Sequence, residues 1–147
     1  MEVAPDFSLL DQDGQTVSLK TLLGRKSIVL FFYPKDESPV CSAQVCAFRD
    51  SYAQFIDTGA QLIGISSDSV ASHKHFHEKH HLPYRLLSDM DGKVRQAYRV
   101  PSTLGLIPGR TTYVIDSQGM IRYTFSSQFN IGKHIADTLR IVKEINK

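Results

Sequence analysis

The run Ser27-Ile28-Val29-Leu30-Phe31-Phe32-Tyr33 constrains this chain more than any other segment, because it is apolar at almost every position and rich in branched and aromatic side chains. Such a run predicts a strand covered on both faces, hence the middle of a sheet with layers above and below it. The uninterrupted apolar part, Ile28 to Tyr33, is six residues long, where a membrane helix needs about 20. No bilayer span is expected. The N-terminal Glu2, Pro5 and Asp6 lack the basic-then-apolar order of a signal peptide. A cytoplasmic location is therefore expected, with a plastid-type organelle as the alternative if a leader has been removed.

The flanking segments supply the layers. Phe7-Ser8-Leu9-Leu10 and Thr16-Val17-Ser18-Leu19 flank the turn Asp11-Gln12-Asp13-Gly14 and predict an N-terminal hairpin. Val40, Val45, Phe48, Tyr52, Phe55 and Ile56 recur at helical spacing, which predicts one helix over about 40–57. Gln61 to Ser66 reads as the next strand, and Asp68 or Ser69 caps a His-rich helix running to about His80. A short strand at Leu86-Leu87, a helical stretch around Val94 to Tyr98 and an irregular loop holding Pro101, Gly105, Pro108 and Gly109 follow. Thr111 to Ile115 and Met120 to Phe125 form a second hairpin, and Ile131, Ile135, Leu139, Val142 and Ile145 mark a closing helix. Helix-linked strands followed by an antiparallel hairpin imply an α/β fold, a mixed central sheet with helices on both faces, the plan of thioredoxin-like domains. The chain has 147 residues, which suits a single domain over 1–147 burying roughly two-thirds of its unfolded surface. A net charge of +2 with no basic run argues against nucleic acid or an anionic membrane as a partner.

With only two cysteines, a structural disulfide framework is not expected. Ser38-Pro39-Val40-Cys41 has the form of a helix start: Ser38 suits the N-cap, Pro39 the first helical position, and Cys41 falls at the third. Unpaired backbone N–H groups and the positive end of the helix dipole favour a thiolate there. On composition alone, a small buried hydrophobe is an equal reading of Cys41. Cys46 lies five residues on. An intact helix would hold the two α-carbons about 8.7 Å apart, whereas a disulfide needs less than about 7 Å. A direct bond between them therefore demands local unwinding. The spacing is not the C-x-x-C of thioredoxin-type exchange, and no second ligand pair stands at zinc-finger spacing, so no metal and no cofactor are expected.

The segment Phe32-Tyr33-Pro34-Lys35-Asp36-Glu37-Ser38-Pro39-Val40-Cys41, with its P-x-x-x-S-x-x-C pattern, resembles the peroxidatic-cysteine signature of the peroxiredoxins. The continuation Cys46-Ala47-Phe48-Arg49-Asp50 narrows the resemblance to the peroxiredoxin Q group, also called bacterioferritin comigratory protein. Ala4-Pro5-Asp6-Phe7, Ile63-Gly64-Ile65-Ser66, Leu86-Leu87-Ser88-Asp89 and Gly109 to Asp116 extend it over nearly the whole chain. The resemblance implies a thioredoxin-like fold and a thiol peroxidase acting on hydrogen peroxide or alkyl hydroperoxides. It implies that Cys41 is the peroxidatic residue, oxidised to a sulfenic acid, and that Cys46 resolves it as an intramolecular disulfide. Thioredoxin would then reduce that disulfide, with glutaredoxin as the alternative reductant. Pro34, Ser38 and Arg110 match the remaining active-site positions: a shield for the sulfur, a hydroxyl for thiolate and peroxide, and a guanidinium for developing negative charge. With both cysteines on one chain, a monomer is expected. Val40 stands where the family usually has Gly and Ser42 where Thr is usual, and a branched residue at 40 is expected to restrict unwinding of the first turn.

Other constellations carry less. His73, His75, His77, His80 and His81 lie among Lys74 and Lys79, which reads as a solvated helix face rather than a zinc site. No phosphate-loop pattern occurs, and Ser66-Ser67-Asp68 lacks the G-x-S-x-G elbow of a hydrolase. The remaining alternative is a redox-sensing or chaperone-like module that uses the same cysteines as a switch, which sustained peroxide turnover would separate from an enzyme.

Overall fold

The computed structural model describes residues 2–24, 26–100, 102–103, 107–108, 110–127 and 130–146. Ser27–Phe32 forms the strand that the apolar run predicts, β4 in chain order, and every residue in it is buried. Its alternation divides two cores. Val29, Phe31 and Tyr33 pack with one cluster, and Ile28, Leu30 and Phe32 with another. Burial of each such side chain stabilises the fold by about 1.5–3 kcal/mol.

Preceding β4 are β1 (Glu2–Val3), β2 (Ser8–Asp11), β3 (Thr16–Ser18) and the short helix α1 (Leu19–Leu22). After it come α2 (Pro39–Asp50), α3 (Tyr52–Asp57), β5 (Ala60–Ser66), α4 (Val70–Lys79), β6 (Arg85–Ser88) and α5 (Lys93–Ala97). The chain closes with β7 (Ser102–Thr103), β8 (Ile107–Pro108), β9 (Thr111–Ile115), β10 (Met120–Ser126) and α6 (Ile131–Ile145). The main sheet runs β1-β10-β9-β4-β5-β6-β2-β3. β5 is parallel to both β4 and β6, while β9 is antiparallel to β4, so the sheet is mixed as expected. Residues of α2, α3, α4 and α6 cover one face, and α1, α5 and the N-terminal segment cover the other.

Two expectations are corrected and one strand is added. The single helix over 40–57 is two, α2 and α3, separated at Ser51, whose φ of −99° and ψ of 4° leave the helical region. The apolar periodicity runs on through the break because Phe48 and Phe55 still meet, with ring centroids 5.8 Å apart. The irregular loop contains a ribbon, β7 paired antiparallel with β8; Pro101, Gly105 and Gly109 of that segment lie outside the described residues. The sheet also gains β1, which pairs with β10 through Glu2 and Val3.

Close approach fixes the layer beneath the site. A β-carbon on Gly64 would stand 2.8 Å from the Phe31 ring and 2.9 Å from Leu86. Phe31 in turn stacks on Phe48 of α2, centroids 4.3 Å apart, which seats α2 over the C-terminal end of β4.

Candidate active site

β4 ends at Phe32, and the connection to α2 is held from below by one buried carboxylate. Asp36 accepts from the Tyr33 hydroxyl at 2.6 Å and from the Ser72 hydroxyl at 2.8 Å, and its Oδ2 lies 2.8 Å from His73 Nδ1. Its backbone N–H donates to Asp68 at 2.7 Å. The Leu87 carbonyl can only accept, so His73 Nε2 carries a proton toward it at 2.9 Å. Burial first, and then the Asp36 charge, push the Tyr33 phenol well up, so it stays a donor. This network holds Glu37 at φ 69°, a left-handed conformation costing roughly 1–2 kcal/mol for a residue with a side chain. The resulting turn delivers Ser38 to the start of α2. Asp36, Asp68 and His73 offer ligand atoms within 4.8 Å of one another, the one set among the described residues that could hold a metal. Those atoms already bond to each other and to their neighbours.

The helix start has the geometry that its residue types dictate. Ser38, at φ −73° and ψ 146°, accepts from the Cys41 N–H at 3.2 Å, with Pro39 at the first helical position. Cys41 is 1% exposed, and its Sγ is the acceptor of a hydrogen bond from Arg110 Nη2 at 3.4 Å. Arg110 precedes β9 and is buried, 3% exposed, on the side of Cys41. A guanidinium donor bonds a thiolate more strongly than a thiol. Pro34, half-buried, follows Tyr33 in the same connection. The structure therefore brings Ser38, Cys41 and Arg110 together, and Pro34 lies in the connection between β4 and α2.

Cys46 sits apart. It occupies the third turn of the same unbroken helix, half-buried, and both thiols are free. Its Sγ lies 3.4 Å from Nδ1 of His80, the residue that ends α4. Arg49, one residue short of the end of α2, donates to the His80 carbonyl at 2.8 Å. The solvated histidine face is thus only partly present. His75 and His81 are exposed, but His73 is buried, His77 donates to the Tyr84 carbonyl at 3.0 Å, and His80 lies against α2. The inward residues, His73, Phe76, His77 and His80, follow the period of the helix, and the intervening lysines mask it in the sequence.

Sequence reasoning missed Gln44 and Arg95. Gln44 is fully buried, and its Oε1 accepts from Arg110 Nη1, so it orients the guanidinium that reaches Cys41. The available signal was a polar residue three positions after Cys41 on a face otherwise apolar. Among the described residues its Nε2 has no hydrogen-bond partner. Arg95 donates to the Tyr33 carbonyl at 2.9 Å, on the connection that leads to α2.

Comparison with known proteins identifies the family of the chain. A family model described as the AhpC/TSA family matches residues 1–124. The chain belongs to that family, and within it to the peroxiredoxin Q group. It is 52% identical over 144 residues to a chloroplastic peroxiredoxin Q of Triticum aestivum, covering 97% of this chain and 66% of that protein. A chloroplastic peroxiredoxin Q of Sedum lineare is 49% identical, with 96% of this chain and 76% of the relative covered. The chain thus spans just under two-thirds of the wheat relative's length. Among solved structures, peroxidoxin BcpB of Mycobacterium tuberculosis superposes with a TM-score of 0.90 at 35% identity, covering 98% and 96% of the two chains. The bacterioferritin comigratory protein of Xanthomonas campestris gives 0.88 at 25% identity, covering 96% and 92%. These neighbours share the thioredoxin-like fold.

Proposed function

We propose that this chain is a thiol peroxidase in which Cys41 reduces hydrogen peroxide or an alkyl hydroperoxide and Cys46 resolves the product. The observation that carries the reading is the Cys41 sulfur at the third position of a capped helix, with the Arg110 guanidinium 3.4 Å away. The thiolate attacks one peroxide oxygen, the O–O bond breaks, and the leaving oxygen departs as water or an alcohol. Cys41 is left as a sulfenic acid. Arg110 stabilises charge developing on the peroxide oxygens, and Ser38 both caps the helix and offers a hydroxyl to them. Pro34 shields the sulfur from water. Alkyl peroxide reduction is named for the Xanthomonas relative, which supports that substrate class here.

Cys46 then condenses with the sulfenic acid, and α2 unwinds locally to bring the sulfurs into bonding distance. Thioredoxin, or a glutaredoxin, returns the disulfide to two thiols by exchange. The reaction needs no second subunit, so a monomer built as a single domain suffices. The chloroplast designation of the curated relatives supports the plastid location over the cytoplasmic one. The test is steady-state peroxide consumption coupled through thioredoxin and its reductase. Sustained turnover is expected; one equivalent consumed and then none would favour the redox-switch module instead.

A further inference from the structure

We propose that His80 is the proton acceptor that activates Cys46 for its attack on oxidised Cys41. The inference rests on the peroxidase reading and deepens its second step. His80 Nδ1 lies 3.4 Å from the Cys46 sulfur, within the range of a sulfur hydrogen bond. The imidazole is held there from several sides. His80 ends α4 in a Schellman turn, with His81 N–H bonded to the Glu78 carbonyl at 3.3 Å and Leu82 N–H to the His77 carbonyl at 3.1 Å. His81 takes the left-handed conformation that such a turn requires, φ 51°. The ring stands edge-on to Phe76, centroids 4.7 Å apart, and Arg49 clasps the His80 carbonyl. A histidine that merely filled surface space would need none of these restraints.

The electrostatic surroundings keep the ring neutral and therefore able to accept. Burial first, and then the Lys79 charge, hold the His80 imidazole below the ordinary histidine value; Arg49 of α2 and His81 act the same way, and Glu37 opposes them. Glu37 itself is engaged by Lys79 at 2.7 Å. Burial first, and then the Cys46 charge, push the Tyr84 phenol well up, with Asp50 acting the same way and Arg49 opposing; that phenol donates to the Val45 carbonyl at 2.6 Å. Among the described residues His80 Nε2 has no hydrogen-bond partner, so no carboxylate fixes a second proton on the ring.

The step balances without any added reagent. The Cys46 S–H bond breaks and its proton passes to Nδ1. The thiolate pair then attacks the sulfur of the Cys41 sulfenic acid, the S–S bond forms and the S–O bond breaks. Hydroxide leaves, takes up a proton to become water, and His80 returns to the neutral ring. Cys46 supplies the electrons that reduce the sulfenic sulfur. Transfer takes place in the wound helix, where the contact exists, and the thiolate moves off as α2 unwinds.

Quenched-flow mass spectrometry separates sulfenic-acid formation from disulfide closure, and both are followed across about pH 5 to 9 in the full chain with His80→Gln and His80→Ala. The ratio of closure to sulfenic-acid formation is expected to fall about tenfold or more at neutral pH in both variants. The wild-type closure rate rises in the acidic range as His80 loses its proton, and the variants lose that limb. A closure rate and pH profile unchanged in folded His80→Gln would overturn the proposal. A second measurement needs no peroxide. With Cys41→Ser in place, the pH profile of Cys46 alkylation by iodoacetamide is compared with and without His80→Gln. Coincident profiles overturn the role of His80. Absence of any sulfenic acid in the wild type, with profiles that differ, overturns the peroxidase reading and leaves the proton acceptor standing.

Discussion

The first and third turns of α2 carry the same functional group in unlike settings. Cys41 is buried, capped by Ser38 and faced by Arg110, which Gln44 orients. Cys46 is half-buried and faced by an imidazole whose element, α4, is also tied to α2 through Arg49. The group at the first turn is a guanidinium and that at the third an imidazole, which suits the proposed division between an attacking sulfur and one that waits. The restraints differ as well. Those on Cys41 come from the cap and from the residue before β9, while those on Cys46 come from the end of a neighbouring helix. On the proposed mechanism, one helix thus holds an attacking thiol and a resolving one.

The largest effects separate the two thiols outright. Cys41→Ser is expected to abolish peroxide reduction, measured as peroxide loss in a single turnover. Cys46→Ser keeps that first burst and its sulfenic acid but loses thioredoxin-supported turnover, and equal behaviour of the two variants would erase the distinction. Next, Arg110→Ala is expected to lower the second-order rate with peroxide by about 10²–10³-fold, as for removal of one charge-stabilising donor. Closure from a preformed sulfenic acid should change far less.

Smaller effects act on the helix as a whole. Phe48→Ala removes the ring stacked on Phe31 and is expected to cost about 3–5 kcal/mol in urea unfolding, loosening both ends of α2 together. The smallest is a pH effect on the Cys41 side. His134, bonded to Thr112 at 2.8 Å and to the Ser127 carbonyl at 3.0 Å, is pushed below the ordinary histidine value chiefly by burial. The fold therefore favours its neutral ring. Its stabilising contribution is complete above the usual histidine value, about 6.5, and is lost as pH falls through it toward the lower folded value. Thermal melts should show a Tm that drops on acidification, with a shallower slope in His134→Gln.

The sequence made the local features legible and left the assembled ones dark. Capping chemistry is set by adjacent residues, so Ser38, Pro39 and Cys41 could be placed from residue types alone. The β4 run likewise announced a central strand because every position after Ser27 is apolar. Arg110 stands 69 residues from Cys41, and only the family resemblance tied the two together. Gln44 and His80 act through side chains that reach across to other elements, and neither composition nor spacing reports such reach. The break at Ser51 escaped notice because Tyr52 and Phe55 continue the apolar periodicity beyond it. Glu2 and Val3 are too few to carry a strand pattern, and their pairing with β10 is decided by the tertiary structure.

The central claim is that a buried first-turn thiol is oxidised and then captured by its partner in the third turn through unwinding of α2. Fully reduced protein treated with one equivalent of hydrogen peroxide, followed by thiol counting and peptide mapping by mass spectrometry, tests it most directly. Loss of both thiols into a single Cys41 to Cys46 bond within one chain is the predicted result. Survival of both thiols, or Cys41 carried to a sulfinic acid with Cys46 untouched, would contradict it.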